Sequence, residues 1–106
     1  MAEYNKEHET VLENMMKGLS GAEAGRMFGF PAYLVNGKLA VGVKKEGIVA
    51  KIGAKRAQEM IGKPGVSKYE PLPGRVWKDY VLLTGSFDQY KDLFAEAVRY
   101  VKAETA

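Results

Sequence analysis

The chain has no cysteine among its 106 residues and a single histidine, His8. The missing thiols exclude disulfides, thiolate zinc sites, iron–sulfur ligation and cysteine nucleophiles. They also fit a reducing compartment. A Ser–His–Asp triad would have to use His8, and no second imidazole or thiolate could complete a zinc site with it. Glu7, Glu9 and Glu13 stand near His8 in sequence. Acidic residues near a helix start are explained by the helix dipole alone. Long apolar runs are missing too: the longest, such as Tyr80 to Leu83, fall far short of a bilayer span. Met1 to Glu13 is polar and acidic, unlike a signal peptide. Phosphate-cradling loops are absent, with neither G-x-x-x-x-G-K-[ST] nor a G-x-G-x-x-G after a strand. The spaced Gly21, Gly25 and Gly29 read as backbone turns. Asp79, Asp88, Asp92 and Glu96 are spaced like solvated helical turns, and none sits in an apolar setting that would raise its pKa. The expectation is a soluble, cytoplasmic, non-enzymatic chain with no cofactor, no metal and no membrane partner.

Hydrophobic residues make up 46% of the chain and charged ones 27%, which places it with globular rather than disordered sequences. The length suits one domain, expected over residues 1–106. The net charge of +3 is unevenly spread. Residues 1–37 carry three basic and five acidic side chains. Residues 38–63 carry seven basic (Lys38, Lys44, Lys45, Lys51, Lys55, Arg56 and Lys63) against Glu46 and Glu59. The remainder balances. The basic excess therefore lies in the middle third. Lys44, Lys45, Lys51, Lys55 and Arg56 are a candidate patch for an anionic partner, or simply a solvated face.

Residues 5–19 read as an amphipathic helix, with Val11, Leu12, Met15, Met16 and Leu19 on one stripe and Asn5 as N-cap. Residues 24–52 change period. Gly25 to Phe28, Ala32 to Val35, Lys38 to Val43 and Ile48 to Ile52 read as strands. Asn36-Gly37 joins two of them and suits a type I′ hairpin turn. Ala54 to Ile61 reads as a short helix, closed by Gly62 and stopped by Pro64. Residues 62–76 are irregular, with Tyr69 on a short strand and Leu72-Pro73-Gly74-Arg75 as a type II turn. Trp77 to Leu83 reads as a strand. Ser86 to Ala103 reads as the last helix, with Ser86 and Gln89 as a capping box and Phe87, Tyr90, Phe94, Ala97, Val98 and Val101 as its apolar stripe. The expected fold class is α+β: about five antiparallel strands with flanking helices, in the order α-β(3–4)-α-β(1–2)-α.

One run carries a resemblance: Gly25-Arg26-Met27-Phe28-Gly29-Phe30-Pro31-Ala32-Tyr33-Leu34-Val35-Asn36-Gly37. Leu39 to Val43, Gly47 to Ile52, and Tyr69-Glu70-Pro71-Leu72-Pro73-Gly74-Arg75 followed by Lys78-Asp79-Tyr80-Val81 extend it. Over residues 8–103 the chain resembles the N-terminal domain of the TfoX/Sxy family, as a stand-alone member. The resemblance implies an α-β(3–4)-α-β(2)-α fold. Larger family members add a C-terminal domain and are linked to regulation of natural competence genes. No second domain is expected here. The resemblance assigns stand-alone members no biochemical activity, and a non-enzymatic regulatory or protein-interaction module is the expected function.

Arg26, Phe28, Tyr69, Arg75 and Trp77 form the candidate interaction surface, because arginine and aromatics are enriched at interface hot spots. Strand alternation points Met27 away from Arg26 and Phe28. Either Met27 packs and the other two face outward, or the reverse. Phe28 and Met27 could also both pack, with Arg26 as an anchor. Trp77, the only tryptophan, is core, edge cover or a binding platform. The loop at 62–76 is expected to present Tyr69, Leu72 and Arg75. A protein partner is the first expectation. A nucleic-acid accessory using residues 38–63 is the alternative, and a small-ligand protein or enzyme with a pocket under the last helix is the third. A homodimer through an uncovered sheet edge stays open.

Overall fold

The computed structural model describes residues 6–17, 21–27, 29–84 and 90–105, with backbone alone at Met27. The order is α1 (Lys6–Met16), β1 (Glu23–Met27), β2 (Phe30–Val35), β3 (Lys38–Val43), β4 (Ile48–Lys51), α2 (Ala54–Met60), β5 (Val66–Lys68), β6 (Tyr80–Leu83) and α3 (Lys91–Glu104). The strands form one antiparallel sheet of six, ordered β1-β2-β3-β4-β6-β5. The α+β class and the helix–strand order match expectation. The six strands fill the upper end of the expected order, four before α2 and two after it.

Turn chemistry sets the meander. Asn36 and Gly37 both take positive φ, 51° and 81°, as a type I′ turn requires. Asn36 also donates from Nδ2 to Thr105 Oγ1 at 2.8 Å, tying this turn to the end of α3. Asn36→Ala and Asn36→Gly both lose that bond, so their difference isolates backbone strain. Alanine is expected to be about 1 kcal/mol less stable than glycine here, measured by urea unfolding. Equal stabilities would contradict the turn assignment.

A β-bulge re-aims the central strands. Tyr33 pairs with Val41 but Leu34 pairs with Leu39, which leaves Ala40 as the extra residue on β3. Val41 and Val43 then point to the helical side with Ile48, Ala50, Val81 and Leu83. Leu39 joins Phe30 and Ala32 in a second cluster on the opposite face. The larger core sits between the sheet and α1, α2 and α3. Leu12, Met15 and Met16 of α1 and Phe94, Ala97, Val98 and Val101 of α3 are all buried there, so both helical stripes read from sequence hold where they are described. Phe94, Ala97 and Val101 are fully buried under α3.

Several boundaries differ from the sequence reading. Trp77 is not in a strand. Lys78 and Asp79 turn the chain, Tyr80 N–H donates to the Trp77 carbonyl at 3.1 Å, and β6 begins only at Tyr80. The Asp79 carbonyl accepts from Ile52 and Gly53 N–H at 2.9 and 3.0 Å, which ends β4 at Lys51. Tyr69 follows β5 rather than lying on it. Ile61 is extended and closes α2 one residue early. The Asn5 cap, Gly18, Leu19 and Ser20, Phe28, Phe87 and the Ser86/Gln89 capping box lie outside the described residues.

Candidate functional site

The sheet face away from the helices carries the concentration of aromatic and basic side chains. It is organised by the loop between β5 and β6. Trp77 N–H donates to the Tyr69 carbonyl at 2.9 Å, and Arg75 N–H donates to the Leu72 carbonyl at 2.9 Å. The loop is therefore a small hairpin. Its tip is Pro73-Gly74, with Gly74 at φ 79°, as the type II reading requires. Glu70 steadies the tip by accepting from Gly74 N–H at 2.7 Å.

Three rings anchor the hairpin to the sheet. Tyr69 and Trp77 meet edge to face with centroids 5.3 Å apart, and Trp77 and Tyr80 lie 5.1 Å apart. Such pairs add about 0.5–1.5 kcal/mol beyond area burial. Tyr69 is 6% exposed. The expectation that the loop presents this ring is thus corrected: Tyr69 is the hairpin's foot, buried against Trp77 and Tyr80. Trp77 is half-buried, and Arg75 is exposed. Arg26 is exposed on β1, four strands away in sheet order from β6, so it does not join them. Phe28 lies outside the described residues.

The hairpin's limbs wall two grooves. One, of about 540 Å³, is lined by Lys51, Trp77, Lys78, Asp79 and Tyr80. The other, of about 410 Å³, runs along Lys44, Lys45, Lys68, Tyr69, Glu70 and Pro71. Beside the hairpin the loop leaves apolar side chains in solvent: Leu72 is 60% exposed and Val76 38%. Val76, Lys78 and Tyr80 escaped the sequence reading. The run Arg75-Val76-Trp77-Lys78, two cations around an apolar–aromatic pair, was the signal available for the first two.

The candidate anionic patch does not form one surface. Lys44 and Lys51 extend over the aromatic face, Lys44 Nζ 3.5 Å from the Phe30 ring centroid and Lys51 Nζ 5.9 Å from that of Tyr80. Lys55 and Arg56 stand on α2, on the helical side of the sheet, where Arg56 Nε pairs with Glu96 of α3 at 2.9 Å. Lys51 is already paired with Glu104 at 2.6 Å. Lys45 is exposed beside the second groove. Burial holds Lys44 below the usual lysine range, against the smaller opposing pull of Glu46.

Tyr80 is the most perturbed titrating group on this face. Burial, with Glu104, Asp79 and Tyr69 adding to it, pushes its phenol up to about 12. Its hydroxyl donates to the Leu39 carbonyl of β3 at 3.3 Å, across β4. The unfolded phenol ionises near pH 10. Stability from the neutral form is thus complete below pH 10 and declines from there toward 12, because the unfolded state loses its proton first. Tyr80→Phe is expected to flatten part of this alkaline loss, measured as unfolding free energy against pH. An unchanged alkaline slope would contradict the assignment.

Among the described residues no group of three or more His, Cys, Asp or Glu could hold a metal ion. No described helix is long and apolar enough to cross a membrane. The chain matches no family model, no curated protein and no solved structure.

Proposed function

We propose that this chain is a non-enzymatic regulatory or protein-interaction module, similar to the N-terminal domain of the TfoX/Sxy family, and that it docks its partner on the β5–β6 hairpin. The observation that carries the reading is the exposure of Leu72 and Val76 beside Arg75 and the half-exposed Trp77. Tryptophan and arginine lead the residue types that dominate binding energy at protein interfaces. Exposed aliphatics gathered around them on a braced turn supply apolar contact at little ordering cost.

The test is a photo-crosslinking side chain placed at Val76 and, separately, at Lys55 on the helical side. In cells, position 76 is expected to give discrete heavier adducts that position 55 does not. Equal patterns from both positions, or adducts from position 55 alone, would contradict docking on the hairpin.

The nucleic-acid alternative draws on Lys44, Lys45 and Lys68 along the second groove. Phosphate contacts there would make binding fall steeply with salt. The separation of Lys55 and Arg56 from Lys44 and Lys51 favours the protein reading.

A further inference from the structure

The hairpin's charge pattern bears on what kind of partner it takes. Arg75 and Lys78 are exposed, and no carboxylate of the described residues pairs with either. Three other cations hold or approach carboxylates. Lys51 holds Glu104, Arg56 holds Glu96 and Glu59, and Lys68 lies 3.9 Å from Glu70. Two cations that no described carboxylate pairs thus flank Val76 and the half-buried Trp77 in sequence. An open groove lined by Trp77, Lys78, Asp79 and Tyr80 leads to Lys51.

We infer that this surface binds an acidic, extended segment of a partner protein, with an apolar side chain seated against Val76 and Trp77 and carboxylates set against Arg75 and Lys78. The inference rests on the protein-interaction reading and adds the chemistry of the partner. Charge complementarity selects the acid: an ammonium and a guanidinium flanking an apolar pair are matched by two carboxylates flanking an apolar side chain. The local carboxylates select peptide over nucleic acid. Asp79 lines the same groove, Glu104 already holds Lys51, and Glu46 and Glu70 line the neighbouring groove. A continuous phosphate chain would meet these negative charges, whereas a peptide can space its own around them. Leu72 and Val76 add an aliphatic contact that suits a peptide side chain.

Trp77 is the chain's only tryptophan, so its emission reports the site directly. The full chain is titrated with a short peptide alternating glutamate and leucine, with its glutamine-for-glutamate version, and with oligouridylate. The expected result is a saturable shift of Trp77 emission with the glutamate peptide, weakened as salt rises. Binding of the glutamine version should be at least about tenfold weaker. The double variant Arg75→Glu/Lys78→Glu should lose the glutamate peptide and gain its lysine-for-glutamate counterpart. Its melting temperature should stay at the parent value, since both side chains are exposed. Equal binding of the glutamine peptide, or tighter binding of oligouridylate, overturns the inference. If position 76 crosslinks in cells but no acidic peptide binds, the acidic partner is wrong and the docking face stands. If both fail, both readings fall.

Discussion

Phe94→Ala is expected to destabilise the chain by about 3–5 kcal/mol, the range for truncating a fully buried aromatic. Phe94 is 0% exposed and lies on α3 beside the buried Leu93 and three residues before the buried Ala97. Removing its ring deletes apolar contacts and leaves a void that a packed interior closes only in part. Domains of this size have only about 5–15 kcal/mol in total. The melting temperature should fall by roughly 15 °C or more. Phe94→Leu, which refills most of the volume, should recover more than half of that loss. A fall of only a few degrees for alanine would mean that α3 does not pack on the sheet as described.

Gly47→Ala is the second large effect, and it acts through backbone rather than core. Gly47 closes the turn between β3 and β4, where its carbonyl accepts from Lys44 N–H at 2.7 Å. A Cβ added there would overlap the Leu83 carbonyl oxygen on β6 and press on Thr84. The obstacle is backbone, so no rotamer change relieves it. Either the turn shifts or the β4–β6 pairing at Ile48 and Leu83 opens. The expected cost is about 3 kcal/mol, the upper part of the range for overpacking. Chemical unfolding should show a lower midpoint, and amide exchange should rise at Ile48 and Leu83 first. A variant as stable as the parent would show that the turn stands farther from β6.

Where residue chemistry dictates geometry, the sequence was legible. Asn36-Gly37 tolerates two positive φ angles in succession, and Pro73-Gly74 suits one fixed and one positive φ. Both turns are found as expected. The stripe from Tyr90 to Val101 repeats at helical spacing, and all its described members are buried. Legibility failed where tertiary contacts decide. Three residues make β5, too few to show a period, and it is held by pairing with β6. The β-prone pattern of Tyr80 to Leu83 extends backward to Trp77, which hides the turn at Lys78 and Asp79. Tyr69 has an exposed loop's sequence context, yet two rings bury it.

The site was legible in part for the same reason. Arg75 and Trp77 were picked by residue type, and they remain at the hairpin surface. The split of the basic segment was not readable. It depends on features that spacing alone cannot show: a bulge at Ala40 shifts the facing of β3, and α2 carries Lys55 and Arg56 to the other layer. Lys44 looks like a solvated lysine in sequence, and its ammonium instead covers Phe30.

The most direct test of docking on the hairpin is backbone amide exchange, run on the protein alone and on the protein with the partner captured from position 76. Docking on the hairpin predicts added protection in residues 69–79 and at the end of β4, with α2 and α3 unchanged. Protection confined to α2 or α3, with residues 69–79 exchanging as in the free protein, would contradict it.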